Sequence, residues 1–451
     1  MSDPKNPSKY NIPNPSNPKI LIAGAGLGGL TLAILLEKAS IDYEILERAT
    51  VLKPLGSATS LGPNVMPLLE QLGLMEELEK ISLEAMTWNV YRDSPDGKSL
   101  EFLNNPGNSV LKEISGYSAR TMSRPDLHAL LLSHVPSHKI HLGKRVLSIS
   151  QRSENGVLIR TSDGSTHVCD ILVGCDGAYS GVRQSLYSLM KKEGCLPKSD
   201  GEDMKVCHMS ILGTTNSIDP SIVPLSKDGF ARCDHVLGYK KPHSSDAFKT
   251  SDWGSESSES IEEDWRAFKL PLGPEDSYIT IGDLINSTES NNITKVMLEE
   301  KLYTTWHHGR TVLMGDACHK MLPSAGRGAI NAMLDAVILA NSLYEIAKDA
   351  TYTNIISAFK EYYDERFPQA KADLESSRKI ASLLAGQTWS DNAMRKISFN
   401  LTPSSTIALL TKTMAYRPQA SFLPKIEYRG SGKVDPQKES KRYLREKAVV
   451  F

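Results

Sequence analysis

The chain has 451 residues, enough for one large domain or two interleaved ones with a full core. A net charge of -1, with 23% of residues charged, gives no sign of a nucleic-acid or acidic-lipid partner. Six cysteines (Cys169, Cys175, Cys195, Cys207, Cys233 and Cys318) form no C-x-x-C pair and fit free thiols in a reducing compartment.

Residues 1–18 are rich in Pro, Asn and Ser without an apolar core, which reads as a flexible lead rather than a signal peptide. No run approaches the roughly 18 apolar residues of a membrane span. The expected location is cytoplasmic, with peripheral membrane association left open. Residues 19–48 organise the chain. An apolar run, Ile20–Ala23, predicts a buried strand, and Gly24, Gly26 and Gly29 follow in G-x-G-x-x-G spacing. An apolar helical pattern and a second strand, Tyr43–Leu46, lead to Glu47, 18 residues after Gly29. Gly24 permits the tight turn, Gly26 lets a pyrophosphate approach the backbone, and Gly29 lets the helix pack on the sheet. The helix start offers free N–H groups to phosphates, and Glu47 is placed to accept from ribose hydroxyls. The stretch predicts a dinucleotide without choosing between NAD and FAD.

Gly56, Ser57 and Ser60 form a small-residue segment that suits close passage by a ligand and equally suits an ordinary loop. Pro63 and Asn64 open a helix. Residues 85–120 read as short strands, with turns at Asp96-Gly97 and Pro106-Gly107. Residues 123–135 read as a helix capped by Ser123. Arg124 stands at its start, where a cation is unfavourable beside the dipole. An anionic partner and a solvated arginine explain it equally well. Residues 144–176 read as three strands, the last running into Asp176-Gly177, with Ser180 and Arg183 at fixed steps. That pattern suits a second phosphate-side contact or a common helix cap.

Strands are expected at 205–212, 232–239 and 277–281, and residues 251–263, rich in Ser and Glu, at the surface. A short strand at 311–314 ends at Gly315-Asp316. A glycine-framed turn and a long apolar helix follow. Asp316 at a strand tip can bind a ribityl or sugar hydroxyl, and the N–H groups of Gly328 and Ala329 can hold a phosphate or a carbonyl oxygen. Cys318 and His319 beside Asp316 lack metal-site spacing, so no metal is expected. Residues 354–385 are helical, and 395–424 carry mixed helix signals. Residues 425–447 hold eight Lys/Arg against four Asp/Glu and read as a solvated tail.

Together these residues resemble the class A FAD-dependent flavoprotein monooxygenases, the family of para-hydroxybenzoate and salicylate hydroxylases. LIAGAGLGGL with Glu47-Arg48 is similar to the family's first FAD fingerprint, VGCDGAYSGVR to its Asp-Gly motif, and VLMGDACHKMLPSAGRGAINAMLDA to its Gly-Asp motif. AFKEYYDERFPQA resembles the helix that follows. The resemblance spans most of residues 19–380. One departure is Cys318, where the family often has alanine.

The resemblance implies an α/β fold, a Rossmann-like FAD-binding domain of the GR2 type interleaved with a β-sheet substrate domain and followed by C-terminal helices. The FAD-binding parts would be residues 19–84, 120–190 and 301–350, and the substrate sheet 85–119 and 191–300. A helical region at 351–424 and a basic tail at 425–451 would follow. It implies that Gly24, Gly26 and Gly29 frame the pyrophosphate, and that Glu47, beside Arg48, binds the adenosine ribose. Arg124 would reach the FAD, Asp176 would lie near the pyrophosphate and the reductant path, and Asp316 would bind the pyrophosphate–ribityl region. Gly328 and Ala329 would sit by the isoalloxazine, with Ser60 or Gly56 in the loop passing it.

The implied chemistry is FAD reduction by NAD(P)H as co-substrate, O2 addition to give a flavin C4a-hydroperoxide, and transfer of one oxygen to an aromatic or other electron-rich small molecule. No catalytic side chain is assigned. Epoxidation or Baeyer–Villiger insertion is the near alternative, and a non-catalytic flavoprotein the more distant one. An NAD-dependent dehydrogenase has no reason to carry the Gly-Asp motif. A flavin halogenase should show W-x-W-x-I-P, and Trp88, Trp253, Trp265, Trp306 and Trp389 are all isolated.

Overall fold

The computed structural model describes residues 18–52, 58–84, 90–93, 100–103, 108–152, 156–213, 266–267, 269–270, 279–289, 293–385, 390, 393–394, 397 and 403–449. Segments 20–23 and 171–174 are continuous apolar runs, as expected of strands covered on both faces, and 43–46 departs from this only at the half-buried Glu44. They lie in a six-stranded sheet ordered His307–His308, Thr311–Leu313, Ile171–Gly174, Ile20–Ala23, Tyr43–Leu46, Ile140–His141. All neighbours are parallel except the edge hairpin of His307–His308 and Thr311–Leu313. Helices Leu27–Lys38 and Gly328–Ile346 pack on each other and close the core.

Gly328–Ile346 has the length and apolar composition of a membrane span, which the sequence reading did not anticipate. Some 72% of that window is buried inside the protein, so it serves here as a core helix.

Residues 144–176 hold four strands rather than three. Val146–Arg152, Gly156–Thr161 and Thr166–Cys169 form an antiparallel meander. The chain then breaks at Asp170, whose carboxylate accepts the Lys19 N–H at 2.7 Å, and enters the parallel sheet as Ile171–Gly174. A third sheet pairs Arg120–Ser123 with Ala58–Leu61 and Ser82–Glu84.

Within 85–120, the hairpin Val90–Asp93/Leu100–Leu103 matches the strand reading, but Asn108–Ser115 is a helix. Of the expected strand 277–281, the described residues are Ile279–Thr280, a two-residue strand, and Ile281, which already belongs to a helix. There a capping box starts helix Ile281–Asn286: Thr280 accepts from the Asp283 amide while Asp283 accepts from the Thr280 amide. The long antiparallel pair Lys205–Gly213 and Ile293–Leu302 is tied to the main body by His319–Lys320. The expected strand 232–239 and surface segment 251–263 lie outside the described residues.

A 34-residue helix, Tyr352–Ala385, follows. The C-terminal segment is not a solvated tail. Arg429 pairs with Glu70, and Gly432 lies against Ile114. In helix Lys441–Val449, Arg442 stacks over the Tyr344 ring at 4.1 Å, and Glu446 accepts from Tyr344 at 2.5 Å and Lys348 at 2.6 Å. Composition made the segment look solvated because its partners come from far along the chain: Tyr344 and Lys348, about 100 residues earlier, for Arg442 and Glu446, and Glu70, 359 residues earlier, for Arg429.

Candidate active site

Ligands of open α/β sheets bind beyond the carboxyl ends of the strands. Here Ala23 is in register with Leu46 on one side and Gly174 on the other, and Gly174 with Leu313. The chain leaves these four tips into Gly24, Glu47, Asp176 and Asp316. Three acids separated by more than a hundred residues therefore come to one edge of one sheet.

The glycines of the first turn divide by cause. Gly24 has φ +107°, and a Cβ there would lie 2.4 Å from the Cys175 carbonyl oxygen. A Cβ on Gly29 would lie 2.1 Å from the Gly24 carbonyl oxygen, so both are required by packing. A Cβ on Gly26 would meet nothing within 4 Å. Gly26 stands in the N-cap position of helix Leu27–Lys38, which has no side-chain cap and no acid in its first turn. That open, uncapped helix start fits a phosphate.

Glu47 is half-buried beside this turn. Its Oε2 accepts the Ala25 N–H and its Oε1 the Ala49 N–H, each at 2.8 Å. The Ala25 carbonyl accepts from His128 Nε2 at 2.8 Å. His128 was missed in the sequence; its signal was the i+4 spacing from Arg124, which puts both on one face of helix Arg124–Ser133. Arg124 and Arg48 are exposed and make no hydrogen bond or ion pair among the described residues.

Asp176 serves its own helix. Its carboxylate accepts from the Ser180 hydroxyl and from the Gly181 amide at 2.7 Å, and Ser180 accepts the Arg183 amide at 2.9 Å. Burial pushes the Asp176 carboxyl up against those hydrogen bonds. Arg183 is buried, donates to the Ala317 carbonyl at 2.8 Å and stacks on Tyr303 at 4.2 Å. The phosphate-side contact entertained for Arg183 is thus replaced by a staple between the Asp176 helix and the Asp316 turn.

Asp316 is half-buried in the turn Gly315–Ala317 and accepts from Lys320 Nζ at 2.9 Å. Under the turn lies Asp335, fully buried. It accepts the Gly315 N–H at 2.8 Å, His319 Nε2 at 2.6 Å and Arg366 Nε at 2.8 Å. Burial alone would raise the Asp335 carboxyl; His319 and Arg366 overcome this and hold it at about 2. The donor atoms of Cys318, His319 and Asp335 lie within 4.8 Å of one another, and Asp335 is already engaged through Oδ1 by the Arg366 guanidinium and through Oδ2 by His319.

Gly328 and Ala329 open helix Gly328–Ile346, a second start without a side-chain cap or first-turn acid, and a Cβ on Gly328 would meet nothing within 4 Å. The two helix starts converge. Ala332, one turn in, lies 3.1 Å from the Cβ position of Gly28 and 3.3 Å from that of Gly315. Ser60 lies on the neighbouring strand Ala58–Leu61, its Oγ 2.9 Å from Thr121 Oγ1, and the following Gly62 packs under Ile330. Gly56 and Ser57 lie outside the described residues.

A family model described as an FAD binding domain matches residues 17–377. The FAD-dependent monooxygenase ptmM of Penicillium ochrochloron is 30% identical over 397 residues, covering 81% of this chain and 89% of that one. The FAD-dependent monooxygenase paxM of Penicillium paxilli is 28% identical and covers 94% and 92%. In fold, the chain is similar to Klebsiella pneumoniae HpxO, solved with FAD and uric acid, with a TM-score of 0.67 at 20% identity over 89% of this chain and 97% of that one. Two uncapped helix starts, three strand-tip acids and these relatives lead to one assignment: the chain belongs to the FAD-binding-domain family and is a class A FAD-dependent monooxygenase.

Proposed function

We propose that the enzyme takes its electrons from NADH or NADPH and hydroxylates an aromatic or other electron-rich small molecule. The balance is substrate–H, O2, NAD(P)H and a proton giving substrate–OH, NAD(P)+ and water. Bound FAD supplies the redox and oxygen chemistry, and the protein supplies binding, orientation and exclusion of water. The observation that carries the reading is the alignment of Glu47, Asp176 and Asp316 along one sheet edge beside two uncapped helix starts.

In this reading Gly26 and the first N–H groups of helix Leu27–Lys38 receive the pyrophosphate, with Gly24 and Gly29 keeping the turn closed around them. Glu47 offers its remaining lone pairs to the adenosine ribose, and the unpaired cations Arg48 and Arg124 face the anionic cofactor. Asp176 holds its helix and strand tip in place near the pyrophosphate. Asp316 serves the ribityl hydroxyls, and the N–H groups of Gly328 and Ala329 face the isoalloxazine, flanked by the Ser60 strand. The FAD-binding parts are residues 19–84, 120–190 and 301–350. The sheet of Lys205–Gly213 and Ile293–Leu302 belongs to the substrate side.

The test is a screen of small aromatic compounds for stimulated NADPH and NADH oxidation, with products identified by mass. A product one oxygen heavier supports the reading. No NAD(P)H-dependent bleaching of the flavin with any compound would overturn it.

A further inference from the structure

Arg327 immediately precedes the Gly328 helix start. Its Nη2 meets Asp373 Oδ2 at 3.1 Å, with the two side chains 13% and 17% exposed. Both charges are fixed by further partners. Arg327 Nη1 donates to Asn64 Oδ1 at 2.8 Å, and Asn64 Nδ2 donates to the Thr413 and Tyr416 carbonyls. Asp373 Oδ2 also accepts from Asn331 Nδ2 at 2.8 Å, and Asn331 Oδ1 accepts from Arg366 at 2.7 Å. Two helices and the turn around Asn64 therefore hold one cation and one anion at the mouth of an uncapped helix. Arg327 Nε is buried and has no acceptor among the described residues. A buried donor left without an acceptor is rare, and an acceptor on a bound molecule relieves it.

We propose that the Arg327–Asp373 pair sets the reduction potential of the bound FAD. This rests on the reading that Gly328 and Ala329 face the isoalloxazine. Two-electron reduction with uptake of one proton adds a negative charge to the ring. A fixed cation nearby favours that form and a fixed anion disfavours it, and in a partly buried site neither is screened as it is in water. Asp373 thus has two effects: it positions Arg327 and it offsets part of its field.

The pair gives predictions of opposite sign. Measured by equilibration of the flavoprotein with redox dyes, Arg327→Gln leaves the anion and moves the potential down. Asp373→Asn leaves the cation and moves it up. Each shift is expected to correspond to at least a tenfold change in the ratio of reduced to oxidised flavin, about 30 mV for a two-electron couple. Arg327→Lys should stay near the wild type, and Arg327→Gln/Asp373→Asn should return towards it. A purely structural role moves both single variants in the same direction or neither, and either result overturns the proposal. If Arg327→Gln does not fold, the near-isosteric Asp373→Asn decides alone: an upward shift supports the proposal, and any other result overturns it. Ala329→Asp separates this inference from the reading beneath it. A lowered potential in Ala329→Asp with none of the expected shifts from the pair overturns the inference and leaves the reading standing. No shift in any of these variants overturns both.

Discussion

Asp335 is the acid on which the Asp316 turn stands, and its replacement by asparagine is the most demanding test of the site. Both Asp335 and its partner Arg366 are 0% exposed. Removing one member of a buried pair costs about 3–5 kcal/mol, because the remaining ion stays desolvated without its counter-charge. Asparagine keeps the shape, and Arg366 keeps Asn331 Oδ1 at 2.7 Å, which puts the expectation near the lower end, about 3 kcal/mol. The same partners hold the Asp335 carboxyl below its ordinary value and so add stability while it is ionised. Because the folded value is depressed, that contribution is complete above about pH 4 and is lost as pH falls towards 2.

Urea unfolding at pH 7, followed by circular dichroism at fixed FAD, measures the loss. Asp335→Asn combined with Arg366→Met removes both charges while keeping an amide oxygen to accept from Gly315 or His319, and should recover part of it. A loss in Asp335→Asn below about 1 kcal/mol, or a double variant no more stable than the single one, would refute the argument that this pair carries the turn.

Asp316→Ala should purify with little bound flavin, judged by its visible absorbance. Unchanged occupancy would count against Asp316 as a cofactor contact. Glu47→Ala removes the acceptor for the Ala25 and Ala49 amides as well as the proposed ribose contact, and should weaken FAD by about 1–3 kcal/mol. A wild-type dissociation constant by flavin fluorescence titration would sink that role. Truncation after Pro424 removes Arg429 from Glu70 and Glu446 from Tyr344 and should lower the thermal midpoint, by about 1 °C for each kcal/mol lost in a chain of this length. An unchanged midpoint would restore the picture of a free tail.

The legible parts of the sequence were those whose causes are local. Ile20–Ala23, the glycine turn and helix Leu27–Lys38 are specified within about twenty residues by apolar periodicity and by the steric demand for glycine at Gly24 and Gly29. Local signals also misled. The strand-like run through Asp170 is cut because Asp170 binds Lys19, far earlier in the chain. The cap signal at Thr280 was present and overlooked.

Residues 19–48 alone determined that a dinucleotide binds, and the motifs at Asp176 and Asp316 pointed to FAD. Tertiary structure decided what those acids do. Parallel register brings them to one edge, turns Asp176 towards its own helix, and puts Asp335, His319 and Arg366 into one buried knot from positions 16 and 31 residues apart. It likewise decided that Arg327 meets Asp373 and that the basic C-terminal segment is packed. The physical reason is that a backbone conformation is chosen by neighbours in sequence, whereas a buried charge is tolerated only beside a partner supplied from elsewhere in the chain.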